Sequence, residues 1–207
     1  AGTLDLFVMA RCPYGVEAIH ASREAFAHFG GKLELRIHWI VTEVTPEEMA
    51  ALGMPDLCAK AGGHAFCSIH GTGETEDSLR WICAQSKTTT EKLMSLYACV
   101  EAGEKIGMDL MGCAEAAGLD PAAIEECAAG DEGADLLSAD ASLGEALGMD
   151  ASPSYLWNNN EVEYVDPAPA AIAGKACDVN PGLAGCDDLS GLPGAGGTAG
   201  DGKQCGQ

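Results

Sequence analysis

The sequence predicts an α/β fold that is interrupted by an all-helical insertion and cross-linked by disulfides. A strand, a helix and a second strand follow one another within the first 40 residues, and a β-hairpin and a helix follow near residues 154–176. Between them, residues 46–148 are rich in Ala, Glu, Leu and Met and contain few β-branched runs. Ten cysteines are spread along the chain without paired C-x-x-C knuckles, which favours disulfides over zinc fingers and indicates an oxidising compartment.

The N-terminal part has the pattern of a βαβ unit. Residues 4–9 (LDLFVM) are short, apolar and bounded, as a buried strand is, and residues 33–40 alternate apolar and polar side chains. Residues 13–29 carry apolar side chains at helical spacing and end at Gly30-Gly31. Because a single helix connects the two strands, we expect them to be parallel.

The middle of the chain predicts helices, and the part after residue 150 returns to strands. Thr45-Pro46 and Asp120-Pro121 are strong helix starts, in which an N-cap residue precedes a proline. Asn158-Asn159-Asn160 is a turn-forming triplet between two short strand patterns, which predicts a hairpin with a helix after it, near residues 168–176. Four to six helices are expected, roughly over residues 46–53, 55–61, 74–85, 90–103, 121–129 and 131–147.

These patterns divide the chain into four parts. Residues 1–44 and 149–176 form the core, and residues 45–148 form the helical insertion. Residues 177–187 form a short disulfide loop, and residues 188–207 form a glycine-rich flexible tail.

The charge of the chain argues against several kinds of partner. Its 207 residues carry 32 Asp and Glu against 11 Lys and Arg, a formal net charge of −21, and no basic stripe, so nucleic acid binding is not expected. No apolar run approaches the roughly 20 residues of a spanning helix, so no membrane insertion is expected. We expect a signal peptide or anchor to have been removed before Ala1-Gly2, which indicates a periplasmic or secreted protein.

Cys12 has the surroundings of a reactive thiol. It follows the first strand directly and precedes Pro13, which suits the first turn of a helix. A helix N-terminus carries partial positive charge and free N–H groups, so the pKa of the Cys12 thiol should fall from about 8.5 toward neutrality. We predict that Cys12 is a nucleophile within the motif formed with Pro13, Tyr14 and Gly15; the alternative is an inert buried or disulfide-bonded cysteine.

Ser152 and Pro153 form the second candidate element. The order of strands and helices resembles the thioredoxin-like plan, in which a cis proline precedes the hairpin strand and lies against the active-site cysteine; here a small residue and a proline stand directly before an apolar strand. The backbone of the residue before such a proline can pair with an extended substrate peptide. We therefore predict a cis bond and a substrate-binding role for these two residues; the alternative is an ordinary trans loop proline.

These segments resemble a known superfamily. FVMARCPYGVEA and ASPSYLWNN are similar to the thioredoxin superfamily, specifically its DsbA-like members with an inserted helical domain. The middle of the chain is similar to the gamma-interferon-inducible lysosomal thiol reductases and related bacterial DsbA-like proteins. The similarity lies in three segments that follow one another in this order: His70-Gly71, SLRWICAQ and IEECAAGDEGADLLSADASLGEALG. The resemblance spans roughly residues 4–176 and implies a thioredoxin-like fold and reduction, oxidation or isomerisation of protein disulfides.

The resemblance also identifies one departure. The nucleophilic cysteine of the family maps to Cys12, but its second active-site cysteine maps to Gly15, which leaves a single-cysteine CPYG motif. Cys12 can still form a mixed disulfide with a substrate. Its release then needs glutathione or another small thiol, a substrate thiol, or another cysteine of this chain.

The remaining cysteines favour four structural disulfides. Short glycine-containing turns favour Cys58–Cys67 and Cys177–Cys186. Four cysteines in the helical region allow three pairings, of which we prefer Cys83–Cys127 with Cys99–Cys113.

These pairings leave Cys205 as the possible partner of Cys12. It lies near the end of a flexible, glycine-rich segment of about 18 residues, whose root-mean-square end-to-end distance is roughly 20–25 Å. Cys205 is therefore a candidate resolving cysteine for Cys12, a tether to another chain, or a cysteine without a role.

A zinc site is the competing interpretation for one segment. Cys58, His64, Cys67 and His70 have the spacing C-x5-H-x2-C-x2-H, and all four are possible ligands. The spacing matches no common zinc finger, and an oxidising compartment favours a disulfide. We therefore predict no metal and no cofactor.

The function predicted from the sequence is thiol–disulfide exchange on cysteine-containing proteins or peptides through Cys12, as in a monothiol reductase or isomerase, with a small thiol such as glutathione as a further partner. The alternative is a non-catalytic peptide-binding module with a thioredoxin-like fold that has lost its resolving cysteine.

Overall fold

The structure is a computed structural model that describes residues 2–53, 55–101, 110–195 and 203–206. A short 3-10 turn, Pro55–Leu57, directly precedes the strand that begins at Cys58. In chain order the described helices and strands are β1 (Gly2–Val8), α1 (Pro13–His28), β2 (Leu33–Trp39), β3 (Thr42–Val44), α2 (Pro46–Leu52), β4 (Cys58–Ala61), β5 (His64–Cys67), α3 (Thr72–Ser86), α4 (Thr90–Glu101), α5 (Leu110–Ala116), α6 (Pro121–Ala129), α7 (Asp131–Leu147), β6 (Ala151–Ser152), β7 (Ser154–Trp157), β8 (Glu161–Val162), α8 (Pro169–Val179) and β9 (Cys205–Gly206).

The main sheet has the strand order β2-β1-β7-β8. β1 and β2 pair in parallel from Gly2 opposite Leu33 to Val8 opposite Trp39, which confirms the parallel pair expected from the βαβ pattern. β7 lies antiparallel to β1 on the other side, and β8 lies antiparallel to β7. Asn158 and Asn159 both have positive φ angles, 52° and 55°, as the tight turn between β7 and β8 requires.

Alternation along β1 separates two apolar clusters. Leu4, Leu6 and Val8 point into the large core, which also contains apolar side chains of α1 and α8. Phe7 and Met9 point to the opposite face and form a smaller cluster with Cys12. The reactive-thiol candidate therefore lies in an apolar environment of its own, separated by the sheet from the large core.

Asp140 on α7 joins the helical region to the sheet. Its carboxylate accepts hydrogen bonds from the backbone N–H of Trp39 (2.9 Å) and from Nδ1 of His38 (2.8 Å). Nε2 of His38 lies 3.0 Å from Asp5 on β1. Burial opposes the charged imidazole, but the hydrogen bonds to Asp140 and Asp5 outweigh it and raise the pKa of His38 to about 9.

The region between residues 45 and 148 is not all-helical, so the sequence prediction is wrong on this point. β3, β5 and β4 form a three-stranded antiparallel sheet, and the helix expected over residues 55–61 is a short turn followed by β4. Gly62 has a positive φ of 52°, which lets the chain reverse between β4 and β5 and brings Cys58 opposite Cys67. The disulfide expected between Cys58 and Cys67 already indicated a hairpin, because it joins two segments that run in opposite directions on either side of the Gly-Gly turn.

Two further expectations about helices and tail need correction. α5 was not predicted, and residues 102 and 103 of the helix expected over residues 90–103 lie outside the described residues. The tail expected over residues 188–207 is not uniformly a flexible leash, because Cys205 and Gly206 form β9, which pairs with β6. Residues 196–202 and 207 of that tail lie outside the described residues. None of the helices in the described ranges is long and apolar enough to cross a membrane.

Candidate active site

Cys12 is the N-cap residue of α1. Its backbone is extended (φ −76°, ψ 118°), its carbonyl oxygen accepts the first helical hydrogen bond from Val16 at 3.0 Å, and Pro13 follows as the first helical residue. The first turn of α1 contains no acidic residue. The N–H groups at the start of the helix and its macrodipole therefore favour a negative charge on the sulfur of a residue at this position.

The side chain of Arg11 turns away from Cys12. Its Nε atom lies 2.7 Å from Asp77 of α3, and its guanidinium group covers Gly73, where an added Cβ would lie 2.3 Å from Nη1. The guanidinium group therefore stabilises a Cys12 thiolate less than an unpaired cation would, because its charge is paired with a carboxylate.

A buried carboxylate faces the backbone of the same turn. Glu74 has no exposed surface, and the backbone N–H of Arg11 and the hydroxyl of Ser68 act to lower the pKa of its side chain. It also pairs with Nδ1 of His70, four residues before it. Burial raises the pKa of Glu74. Reasoning from the sequence missed Glu74 and Asp77; their i, i+3 spacing on α3 after His70-Gly71 is the signal that could have drawn attention to them.

Ser152 and Pro153 lie directly beside Cys12, and the bond between them is cis. The hydroxyl of Ser152 accepts a hydrogen bond of 2.8 Å from the backbone N–H of Met9. The Sγ atom of Cys12 lies 3.4 Å from the carbonyl oxygen of Ser152. The structure thus brings together the two segments that the sequence separates by 140 residues.

Gly15 is buried against the same serine. A Cβ atom added to Gly15 would lie 2.5 Å from Oγ of Ser152, 3.2 Å from Cβ of Val8 and 3.3 Å from the carbonyl oxygen of Met9. These distances are shorter than ordinary van der Waals contacts between such atoms. A side chain at this position, including that of a second cysteine, requires the hydroxyl of Ser152 to move out of its hydrogen bond with Met9 and requires smaller shifts at Val8 and Met9.

Cys205 is the disulfide partner of Cys12, 193 residues away in the chain. β9 pairs antiparallel with β6, so that Cys205 lies opposite Ser152 and Gly206 opposite Ala151. The side-chain amide of Gln204 donates a hydrogen bond of 2.6 Å to the carbonyl oxygen of Pro153.

The environment of this disulfide is apolar. Cys12 has no exposed surface and packs with other buried side chains of its cluster, and Tyr14 and Cys205 pack against that cluster at its edge. The other members are Phe7, Met9, Ile40, Met149 and Leu156.

The other eight cysteines are also paired. Their disulfides are the four preferred from the sequence: Cys58–Cys67, Cys83–Cys127, Cys99–Cys113 and Cys177–Cys186. All ten cysteines belong to the described residues, and none of them is free.

The four residues weighed as zinc ligands are engaged elsewhere. Cys58 and Cys67 form a disulfide, which removes both thiolates. Nδ1 of His64 lies 2.5 Å from Glu43, and His70 pairs with Glu74. In the described part of the chain, no three His, Cys, Asp or Glu side chains are arranged to hold one metal ion.

Comparison with known proteins rests on structure alone. No protein-family profile matches the sequence, and no curated protein sequence matches it significantly. Among solved structures, reduced DsbA from Mycobacterium tuberculosis aligns with a TM-score of 0.55 and 15% identity over 90% of this chain and 86% of its own. The reduced disulfide bond oxidoreductase DsbG from the same organism aligns with a TM-score of 0.55 and 14% identity over 90% of this chain and 81% of its own.

A third structure, of a protein from Nitrosomonas europaea, aligns with a TM-score of 0.56 and 15% identity over 86% of this chain and 96% of its own. At these identities the similarity shows the fold. In this chain the strand order is β2-β1-β7-β8, Cys12 lies at the start of α1, and the Ser152–Pro153 bond beside it is cis. The chain therefore has the DsbA-like form of the thioredoxin fold, with an inserted region that contains both helices and a small sheet.

Proposed function

We propose that this protein exchanges disulfides with protein or peptide substrates through Cys12 as its one attacking thiol, in the direction of reduction or isomerisation. The observation that carries the proposal is the bond between Cys12, at the N-cap of α1, and a cysteine held on an extended strand beside the cis proline. A mixed disulfide between Cys12 and a bound substrate requires the same arrangement.

The attack uses the Cys12 thiolate. Its sulfur forms a bond to one sulfur of a substrate disulfide, the substrate S–S bond breaks, and the other substrate sulfur leaves as a thiolate that takes a proton from water. The N–H groups and the dipole at the start of α1 favour the thiolate form of Cys12 once its disulfide is reduced.

Release of the substrate needs a second thiol, and two sources fit. In a monothiol cycle, a small thiolate such as that of glutathione attacks the Sγ atom of Cys12, and the second substrate sulfur leaves as a thiolate. A second small thiolate then attacks the small-thiol sulfur bound to Cys12, which releases the oxidised small thiol and restores the Cys12 thiolate. In the second route, the Cys205 thiolate attacks the Sγ atom of Cys12, which restores the Cys12–Cys205 bond and frees the second substrate thiol. Two equivalents of a small thiol then reduce this bond for the next cycle.

The partners in this proposal are cysteine-containing proteins or peptides and a small thiol, in the periplasm or outside the cell. Five disulfides support an oxidising compartment.

The pH dependence of alkylation in the Cys205→Ser variant tests whether Cys12 is activated. Cys12 is the one free thiol of that variant, and the proposal expects a pKa below about 7. A pKa near the ordinary value of about 8.5 would favour the non-catalytic peptide-binding module. Acceleration of insulin reduction by glutathione, with Cys12→Ser as control, should accompany the low pKa.

A single-turnover experiment without small thiols separates the two release routes. The wild-type protein is reduced only at Cys12–Cys205, as shown by two new thiols per chain, and mixed with one equivalent of a disulfide-bonded peptide. Release by Cys205 predicts free peptide thiols and no covalent complex on non-reducing mass analysis. The reaction of Cys205→Ser should stop at the mixed disulfide between Cys12 and the peptide. If the wild type and Cys205→Ser accumulate this mixed disulfide equally, the monothiol cycle is the release route.

A further inference from the structure

Each of the last described residues, Lys203–Gly206 (the C-terminal segment), makes a contact that places the segment against the active site. The backbone N–H of Lys203 faces the hydroxyl of Tyr164. Gln204 donates to Pro153, Cys205 is bonded to Cys12, and Cys205 and Gly206 pair with Ser152 and Ala151.

This segment covers the surface that a substrate would need. Its pairing uses the edge of β6, and its sulfur is bonded to the Cys12 sulfur, which has no exposed surface. An extended peptide cannot pair with the same edge at the same time, because each backbone N–H and C=O pairs with one neighbouring strand.

We propose that the C-terminal segment is an internal substrate mimic: it occupies the β6 edge that binds an extended, cysteine-containing polypeptide, so the Cys12–Cys205 form excludes such peptides and the reduced form admits them. This inference rests on the proposed function, because it names the substrate orientation and the control of that same site.

The register of β9 defines the ligand. The substrate strand runs antiparallel to β6, with its cysteine opposite Ser152 and the following residue opposite Ala151. The residue before the cysteine takes the place of Gln204, whose amide donates to Pro153. The site therefore selects a hydrogen-bond donor directly before the reacting cysteine.

Opening requires two equivalents of a small thiol. Cys205 is half-buried whereas Cys12 has no exposed surface, so the first thiolate attacks the Sγ atom of Cys205 and Cys12 leaves as a thiolate. A second thiolate attacks the small-thiol sulfur of the resulting mixed disulfide, which releases the oxidised small thiol and leaves Cys205 as a thiolate. Two electrons pass to the cysteine pair, and the protons of the two thiols return through water to the two cysteines.

Two full-length variants isolate the non-covalent contact of the segment. Both carry Cys205→Ser, so Cys12 is free but the segment can still pair with β6. Gln204→Ala removes the donor to Pro153, whereas Lys203→Ala is the matched control, because the described contact of Lys203 is made by its backbone. The probe is the peptide GKQCGQ with its cysteine joined to thionitrobenzoate, whose release on attack by Cys12 is followed by absorbance.

The expected rates follow from competition between segment and peptide. Gln204→Ala/Cys205→Ser should release thionitrobenzoate about fivefold faster than Cys205→Ser, the factor that one hydrogen bond is worth, and Lys203→Ala/Cys205→Ser should match Cys205→Ser. With Gln204→Ala/Cys205→Ser as the enzyme, the peptide GKACGQ should react about fivefold more slowly than GKQCGQ. Equal rates for the two variants, or for the two peptides, overturn the proposal.

Two controls keep this proposal distinct from the proposed function. Reaction of each variant with a small aromatic disulfide reports Cys12 reactivity alone, and its failure would contradict the proposed function. Amide hydrogen exchange at residues 151–152 reports segment binding without any thiol chemistry. Exchange should be faster in Gln204→Ala/Cys205→Ser than in Lys203→Ala/Cys205→Ser, and equal exchange in the two overturns the substrate-mimic proposal.

Discussion

The hydroxyl oxygen of Ser152 lies where a side chain on Gly15 would extend, 2.5 Å from the position of its Cβ. The same hydroxyl accepts the backbone N–H of Met9, which fixes the cis-proline loop against the end of β1. A second cysteine at position 15 would therefore displace this hydroxyl from its hydrogen bond with Met9. The second thiol instead reaches Cys12 from outside the helix, on β9.

Substitution of Gly15 should be costly even by the smallest side chain. Gly15→Ala and Gly15→Cys are both expected to lower the free energy of unfolding by about 1–3 kcal/mol, as overpacking of a well-filled site does. Urea denaturation monitored by circular dichroism measures the loss. Gly174→Ala on α8 is the matched control: a Cβ there meets nothing within 4 Å, so alanine should leave stability unchanged or raise it by up to about 1 kcal/mol. Equal effects at the two glycines would contradict the steric relationship.

Thiol titration of the denatured, unreduced protein should find no free thiol in the wild type, because all ten cysteines are paired. Cys12→Ser and Cys205→Ser should each show one thiol per chain, and the double variant none. Two thiols in the wild type that fall to one in either single variant would argue against the Cys12–Cys205 bond.

Stability should fall with rising pH because of His38. Its pKa in the folded protein, about 9, lies above the ordinary value of 6.5, so the stabilisation is complete below about pH 6.5 and is lost as the pH rises through about 9. The side chain is 15% exposed, and the shift corresponds to a loss on the order of 2–3 kcal/mol between pH 6 and pH 10. His38→Gln should remove most of this dependence in denaturation curves measured at the two pH values. A dependence of equal size in the variant would assign it to other groups.

Arg11 and Asp77 should shift the pKa of the Cys12 thiol in opposite directions. Because the two charges are paired at 2.7 Å, Arg11→Gln leaves an unbalanced carboxylate and Asp77→Asn leaves an unbalanced guanidinium. In the Cys205→Ser background, the first change should raise the Cys12 pKa and the second should lower it, each by on the order of half a unit. The rate of alkylation as a function of pH gives these pKa values. The variant that combines Arg11→Gln and Asp77→Asn should have a Cys12 pKa close to that of Cys205→Ser alone. Shifts in the same direction would contradict the ion-pair argument.

Local patterns were sufficient for much of the fold and for part of the site. Cys12 followed by Pro13 places the thiol at a helix start, and Asn158-Asn159 predicts the β7–β8 turn, because capping, proline geometry and positive φ depend on a few adjacent residues. The helix content of the inserted region was overestimated because residues 58–61 (CAKA) form a short, mostly apolar stretch. Such a stretch is compatible with either a strand or a helix.

The sequence by itself identified the candidate nucleophile, the proline loop that faces it and the absence of a second cysteine at Gly15. Only the tertiary structure decided that Ser152 fills the space at Gly15, that Asp77 pairs with Arg11, and that Cys205 reaches Cys12 as a paired strand. The physical reason is distance along the chain. Contacts between residues more than 60 positions apart depend on the path of the whole backbone, which no local pattern encodes.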